Sequence, residues 1–319
     1  MTTTPPFGPV VLGSMTFGDT VDETAAAEIL ALAAEAGVRM IDTANAYAGG
    51  ETERMLNRLL AADPDRFLIA TKAGMPHPDA DGRPLLSPAA LRASLEGSLK
   101  RLGRDRVDLF YLHQPDRETP IEQTLTAVGE LLAEGVIGAY GVSNYAAWQI
   151  AQIQATADRL VIARPVVAQQ LYNLVARGIE AEYAEFAQST GVSTMVYNPL
   201  GGGMLVGRHR FAERPTEGRF VTSRLATMYT DRYWNEQLFA AIEALARIAE
   251  DAGISLVELS LRWLVGKPVT DAVLVGGSAP HQIDSNLALL AKGPLPQDVV
   301  AACDEVGRTL RGPMPAYNR

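Results

Sequence analysis

Asp42, Tyr47, Lys72 and His113 are residue types that move protons, and each lies at or just beyond the end of a short apolar run. The stretch MIDTANAYAGGETE, residues 40–53, follows GVRM, so the carboxylate of Asp42 closes a buried strand and the phenol of Tyr47 comes just after it. Lys72 ends FLIATK, and His113 ends VDLFYLH. An unperturbed phenol titrates near pH ~10, so Tyr47 is a poor proton donor unless its phenolate is stabilised. A nearby ammonium does that, and Lys72 is the candidate, with Asp42 keeping it charged and aimed. His113 then donates a hydrogen bond to a substrate carbonyl or relays to Tyr47. An acid that protonates a carbonyl oxygen needs a partner that attacks the carbon. No nucleophilic Cys or Ser–His pair is evident, so hydride from a nicotinamide is the expected chemistry.

More strand ends carry polar side chains: Ser143 and Asn144 in GVSNY, then Gln169, then Tyr197. Alone, each has a bland reading, since an Asp after a strand caps a turn, a Lys is solvated and a His packs. Together at consecutive strand ends, they describe one cavity.

The elements that must position them repeat along the chain. Apolar runs predict strands at Val10–Leu12, Val38–Asp42, Phe67–Lys72, Val107–His113, Gly138–Val142, Val166–Gln169, Ser193–Tyr197 and Asp271–Val275. Helical patterns lie between them. In LRASLEGSLKRLG, Leu91, Leu95, Leu99 and Leu102 share a face, with Ser87 as N-cap, Pro88 at the first position and Gly103 as the stop. Eight strands each followed by a helix predict an α/β fold, a single (β/α)8 TIM barrel over residues 1–319, with the site at the C-terminal ends of the strands. A doubly wound sheet would carry G-x-G-x-x-G after its first strand, and GSMTFG lacks that fingerprint. One connection breaks the rhythm. Pro199–Tyr233 is rich in Gly, Arg and Pro with little periodicity, which predicts a long functional loop after the seventh strand. Extra helices at Glu236–Ala252 and Ser255–Val265 precede the last strand.

Composition narrows the partners. A net charge of −9 over 319 residues argues against nucleic acid and anionic membranes. The one cysteine, Cys303, allows no intrachain disulfide and no thiolate metal cluster, and His77, His113, His209 and His281 are too scattered for a zinc site. MTTTPPFGPV has no signal-peptide pattern, and no apolar run is long enough to span a bilayer, so the expectation is a soluble cytoplasmic protein without a metal.

The segments GVRMIDTANAY, ATKAG, DLFYLHQPD, GVSNYAAWQI and QQLYNLVAR resemble the aldo-keto reductase superfamily in order and spacing, over essentially the whole chain. The resemblance implies NAD(P)H-dependent carbonyl reduction, with Asp42, Tyr47, Lys72 and His113 as the catalytic residues and Tyr47 as proton donor. It implies that Ser143, Asn144 and Gln169 bond the nicotinamide carboxamide and that Tyr197 stacks on the ring. Within the superfamily, YNPLGGGMLVGR, EGRF, MYTDRYW and the final YNR resemble the aflatoxin-aldehyde reductase branch, which includes succinic semialdehyde reductases. From that branch, Asn198, Pro199, Leu200, Gly201, Gly203 and Leu205 would form the loop against the cofactor. Arg208 and Arg219 would meet its phosphates. Met15, Tyr47, His113, Tyr229, Arg232 and Arg319 would line the substrate pocket, and an arginine pair there suits an aldehyde carrying a carboxylate.

The last β/α unit departs from many superfamily members. It reads GGSAPHQIDSN, without the Lys and Arg that grip a 2′-phosphate elsewhere; Ser278, Gln282 and Asn286 match the neutral pattern of the branch. The branch prefers NADPH, so NADPH/NADP+ is the expected cofactor, with NADH use left open. The neutral pattern also occurs in potassium-channel β-subunits, so a cofactor-binding regulatory protein is the alternative from another class. An oxidation-direction sugar or alcohol dehydrogenase is a third reading, because the same four residues serve both directions. A homodimer is expected from the branch alone.

Overall fold

The computed structural model describes residues 7–216, 220–221 and 226–313. Eight parallel strands close on themselves: β1 (Val10–Gly13), β2 (Met40–Asp42), β3 (Leu68–Ala73), β4 (Val107–Leu112), β5 (Ile137–Ser143), β6 (Val167–Leu171), β7 (Ser193–Tyr197) and β8 (Ala272–Val275). Each pairs with its successor, and β1 pairs with β8 through Val10↔Val273 and Leu12↔Val275. This is the expected (β/α)8 barrel, with strand ends moved by one or two residues.

Successive side chains of a strand point to opposite faces, so closure sorts them into two cores. Val11, Met40, Ala70, Leu109, Tyr111, Val167, Met195 and Ala272 fill the interior, and Phe7 plugs it from below. Their neighbours Leu12, Ile41, Ile69, Phe110, Val142, Ala168, Val196 and Val273 face outward against the helices. Each such aliphatic side chain contributes about 1.5–3 kcal/mol by leaving water.

The same alternation delivers the site. Ala70 is inside, so Lys72 is inside one step nearer the C-terminal rim, with Tyr111 as its register partner on β4. Tyr111 has room only because Gly141 lies beside it on β5. A Cβ there would sit 2.7 Å from the Tyr111 ring and 2.8 Å from Val167.

The helix Pro88–Leu102 forms as its periodicity predicts, with Leu91, Leu95 and Leu102 buried and Gly103 at its end. Ser87 precedes it, but its hydroxyl donates to the Pro84 carbonyl at 2.7 Å instead of capping the helix. The connection after β7 is more ordered than its composition implies. It contains a tight 3-10 segment, Gly201–Val206, and a helix, Ala226–Tyr233, before the expected helices at Glu236–Asp251 and Leu256–Val265. Tyr229 and Tyr233, four residues apart, are the buried positions of Ala226–Tyr233, so burial of one aromatic face organises it. Among the described residues, no helix is long and apolar enough to cross a membrane.

Candidate active site

Asp42 closes β2, Lys72 lies near the end of β3, His113 follows β4, and Tyr47 opens the short turn Tyr47–Gly50. Barrel closure brings all four together. The Lys72 ammonium donates to the Asp42 carboxylate, to the Thr43 carbonyl at 2.9 Å and to the Tyr47 hydroxyl at 3.0 Å. An ammonium has three hydrogens, and these contacts use all of them. The other carboxylate oxygen of Asp42 accepts from Gln169 Nε2 at 2.9 Å. Lys72 and Asp42 are fully buried, while Tyr47 is half-buried and presents its phenol to the mouth. The His113 ring stands edge-on to Tyr47, with centroids 5.9 Å apart at 81°.

Electrostatics follow from this enclosure. Burial pulls the Lys72 ammonium down, but Asp42 and Tyr47 opposite it hold it above the usual lysine range. Burial pushes the Tyr47 phenol up, and Lys72 pulls only part of the way back. The phenol therefore keeps its proton at neutral pH. Burial and the Lys72 charge hold His113 well below the usual histidine range, so its imidazole is neutral and donates through one nitrogen only.

Beyond β5 and β6 the polar strand ends are tied to one another. Asn144, in a left-handed conformation at φ 64°, donates to the His113 carbonyl at 2.9 Å and to Ser143 Oγ at 3.0 Å. Its Oδ1 accepts from the Tyr197 hydroxyl at 2.6 Å. Asn198 Oδ1 accepts from Gly202 N at 2.6 Å, and its amide donates to the Tyr233 hydroxyl at 2.8 Å. The glycine-rich connection is thus pinned to the helix Ala226–Tyr233. That helix reaches over the mouth: Tyr229 acts electrostatically on Tyr47, and the Arg232 guanidinium on Tyr197.

Gly201, Gly202 and Gly203 have φ of 57°, 69° and 101° in succession, a conformation costly for other residues. At Gly202 an added Cβ would meet the Tyr229 ring at 2.6 Å, whereas the Gly203 side faces open space. A bare backbone wall of this kind lets an elongated anionic cofactor approach closely. Beyond β8, the Gln282 carbonyl oxygen accepts from Ser278 N at 3.0 Å and from Ser278 Oγ at 3.2 Å. Asn286 is buried one turn further along the same helix, Pro280–Ala291. Arg208 is exposed, and Met15 is half-buried just beyond β1. Strand-end amides, the bare glycine wall and an exposed guanidinium fit a nicotinamide dinucleotide.

Not every expected contact is available to a side chain. Leu205 and Pro199 are buried, and Leu205 packs in the outer core, so neither offers an exposed side chain. Arg219 and Arg319 lie outside the described residues. Sequence reasoning missed the second tether on Asp42, that from Gln169. Part of the signal was there, because the sequence places Gln169 at a strand end; in the structure it lies in the middle of β6, which runs on to Leu171. It also missed the Thr43 carbonyl beneath Lys72, which no side-chain pattern could reveal. Among the described residues, no group of three His, Cys, Asp or Glu could hold a metal ion.

Residues 9–308 match the family model of the Aldo/keto reductase family. The chain is 36% identical to aflatoxin B1 aldehyde reductase member 2 of Rattus norvegicus, over 97% of this chain and 87% of that protein. It is 35% identical to aldo-keto reductase family 7 member A3 of Homo sapiens, over 97% and 96%. A probable voltage-gated potassium channel subunit beta of Arabidopsis thaliana is 30% identical over 90% and 88%. The chain belongs to the aldo/keto reductase family and is an NAD(P)H-dependent oxidoreductase.

Proposed function

We propose that the protein reduces aldehydes and ketones to alcohols with NADPH, and that Tyr47 is the proton donor. The observation that carries this reading is the saturated Lys72 ammonium, whose third hydrogen rests on the Tyr47 hydroxyl at 3.0 Å. The nicotinamide, when bound, supplies hydride to the carbonyl carbon. As charge builds on the carbonyl oxygen, Tyr47 delivers its proton there, and Lys72 stabilises the phenolate left behind. Neutral His113 donates one hydrogen bond to the same oxygen and orients the substrate. Asp42 keeps Lys72 charged, and Gln169 and Thr43 fix the pair in place. Ser143 and Gln169 are the groups best placed for a carboxamide, with the Tyr197 ring beside it. Arg208 and the Gly201–Gly203 backbone would hold the phosphates.

The helix over the mouth supports a substrate class. Arg232 sets a guanidinium beside Tyr197, which suits an aldehyde carrying a carboxylate at its far end, such as succinic semialdehyde. The relatives named as aldehyde reductases support an aldehyde over a sugar alcohol. NADPH oxidation with succinic semialdehyde and with 4-nitrobenzaldehyde, repeated with NADH, tests the whole reading. Many turnovers with NADPH support it. Tight binding without turnover would favour a cofactor-binding regulatory protein, in keeping with the similarity to a potassium channel β-subunit.

A further inference from the structure

Behind Asp42, Tyr47, Lys72 and His113, on the side facing away from the barrel axis, lies a buried ionic cluster that the proposed chemistry does not use. Glu53, in the helix Glu51–Leu60, is fully buried. One of its carboxylate oxygens accepts from Thr71 Oγ1 at 2.6 Å, and the other from Arg101 Nε at 2.7 Å. Arg101 also grips both oxygens of Asp79, at 2.8 and 3.2 Å, and Asp79 faces His77 Nδ1 at 3.0 Å.

We propose that Thr71, Glu53 and Arg101 are positioning residues that set the separation of the Tyr47 hydroxyl from the Lys72 ammonium. The proposal rests on the reductase reading above. Two arms of the cluster reach the two members of the pair. Thr71 is the neighbour of Lys72 on β3, and adjacent strand side chains point to opposite faces. Holding Thr71 from outside therefore fixes the pitch of the peptide that aims Lys72 inside.

The second arm reaches Tyr47. The turn Tyr47–Gly50 carries three successive left-handed residues, Ala48, Gly49 and Gly50, at φ 46°, 63° and 87°. Ala48 is strained there, and such strain persists only where the surroundings impose it. The turn's own main-chain bonds are long, Tyr47 N to Ala44 O at 3.2 Å and Gly49 N to Ala46 O at 3.4 Å. What closes on it is Arg101. A Cβ on Gly50 would lie 2.8 Å from Arg101 Cδ and 2.9 Å from Nε, so the arginine stem packs directly on the glycine that ends the turn. One side chain, itself clamped by two carboxylates, thus braces the tyrosine turn and, through Glu53 and Thr71, the lysine strand. Replacing a buried ion pair by apolar side chains can leave stability unchanged, so a stabilising role alone does not require ions at this place. The bond chain to Thr71 and the arginine stem packed on Gly50 give the ions a second role.

The test uses full-length protein with Thr71→Val, which keeps volume and removes the donor, and Arg101→Lys, which keeps charge and removes the fork. Readouts are kcat, KM for the aldehyde, the Kd of NADPH, the pH profile of kcat and thermal unfolding. We expect kcat to fall about tenfold in Thr71→Val and about thirtyfold in Arg101→Lys, with KM and Kd changed less than about twofold, because a misplacement on the order of 1 Å costs up to 10²-fold. Arg101→Ala should fall further, the lysine rescuing part of the loss. The groups facing Tyr47 are Lys72 from β3, Asp42 from β2, His113 after β4 and Tyr229 from the helix over the mouth. Loosening Lys72 removes the influence that lowers the phenol. The alkaline limb of kcat should then move to higher pH, and the tyrosinate ultraviolet titration, wild type minus Tyr47→Phe, should move with it. An unchanged kcat in both folded variants would overturn the proposal. So would a loss of kcat that only tracks the folded fraction. Wild-type protein that turned over no carbonyl compound would instead overturn the reductase reading, and the proposal with it.

Discussion

The two sides of the barrel mouth are built differently. On the β2–β4 side, Asp42 and Lys72 are buried, and each polar contact described for them is with another group of this chain. On the β7–β8 side, backbone replaces side chains through Gly201–Gly203, and Arg208 and Ser278 point to solvent. Val206, Phe211, Val221 and Met228 on the same connection are 43%, 42%, 45% and 37% exposed. The first side has its geometry set before anything binds, as proton transfer requires. The second leaves the Arg208 guanidinium and apolar surface exposed. On the proposed reading, chemistry shared by carbonyl substrates falls to the closed wall, and discrimination among them to the open one.

Substitutions can break that division or sharpen it. The largest effect is expected for Tyr47→Phe, with kcat for aldehyde reduction down about 10³-fold and NADPH affinity, measured by fluorescence titration, nearly intact. Equal losses of both would erase the distinction between the sides. Lys72→Met should also abolish useful turnover, and it leaves the Asp42 carboxylate buried without its partner. Thermal or denaturant unfolding should then show a loss of about 3–5 kcal/mol. Adding Asp42→Asn should restore much of that stability and none of the activity.

A smaller effect comes from pH. The His113 pKa is lowered in the fold, so below the unfolded value near ~6.5 the unfolded chain binds the proton more readily. The stability linked to neutral His113 is present above that pH and is lost as pH falls towards the folded value. Unfolding of wild type and His113→Asn between pH 7 and 5 should show a steeper loss in the wild type. On the open side, Arg232→Ala should raise KM about tenfold for succinic semialdehyde, one charge-assisted contact being ~1.5–3 kcal/mol, and leave 4-nitrobenzaldehyde nearly unchanged. Equal effects on the two aldehydes would remove the carboxylate anchor. The smallest is expected for Arg159→Ala. Its ion pair with Glu122 is more than half exposed on both sides, and stability should change by less than about 1 kcal/mol.

The barrel was legible because its strands are short apolar runs that end in polar residues, and the same ends name Asp42, Lys72, His113 and Gln169. Less legible was whatever depends on tertiary pairing. Nothing local shows that Gln169 bonds Asp42 across 127 positions of sequence, or that Asn144 joins His113 to Tyr197. The helix Ala226–Tyr233 hid in a polar, glycine-rich context, because its eight residues offer one aromatic pair and no longer stripe. Glu53 stands in the acidic first turn of the helix Glu51–Leu60, a place where carboxylates are commonly solvated. Its burial follows from Arg101, 48 positions away, which local periodicity cannot supply.

The way Lys72 is held has a further consequence for a protein whose proposed substrates are aldehydes. An unprotonated primary amine condenses with an aldehyde to an imine, and an amine this close to the reacting carbonyl would be the first to do so. With all three hydrogens engaged and the charge held by Asp42, the Lys72 nitrogen has no lone pair to offer. Of the chain's other lysines, Lys100 is exposed on an outer helix, while Lys267 and Lys292 face Asp304 and Glu258 at 3.0 and 2.9 Å. The single thiol, Cys303, is buried and pushed up to about 12. On the proposed reading, the amine nearest the reacting carbonyl is thus kept protonated by the same contacts that would prepare Tyr47.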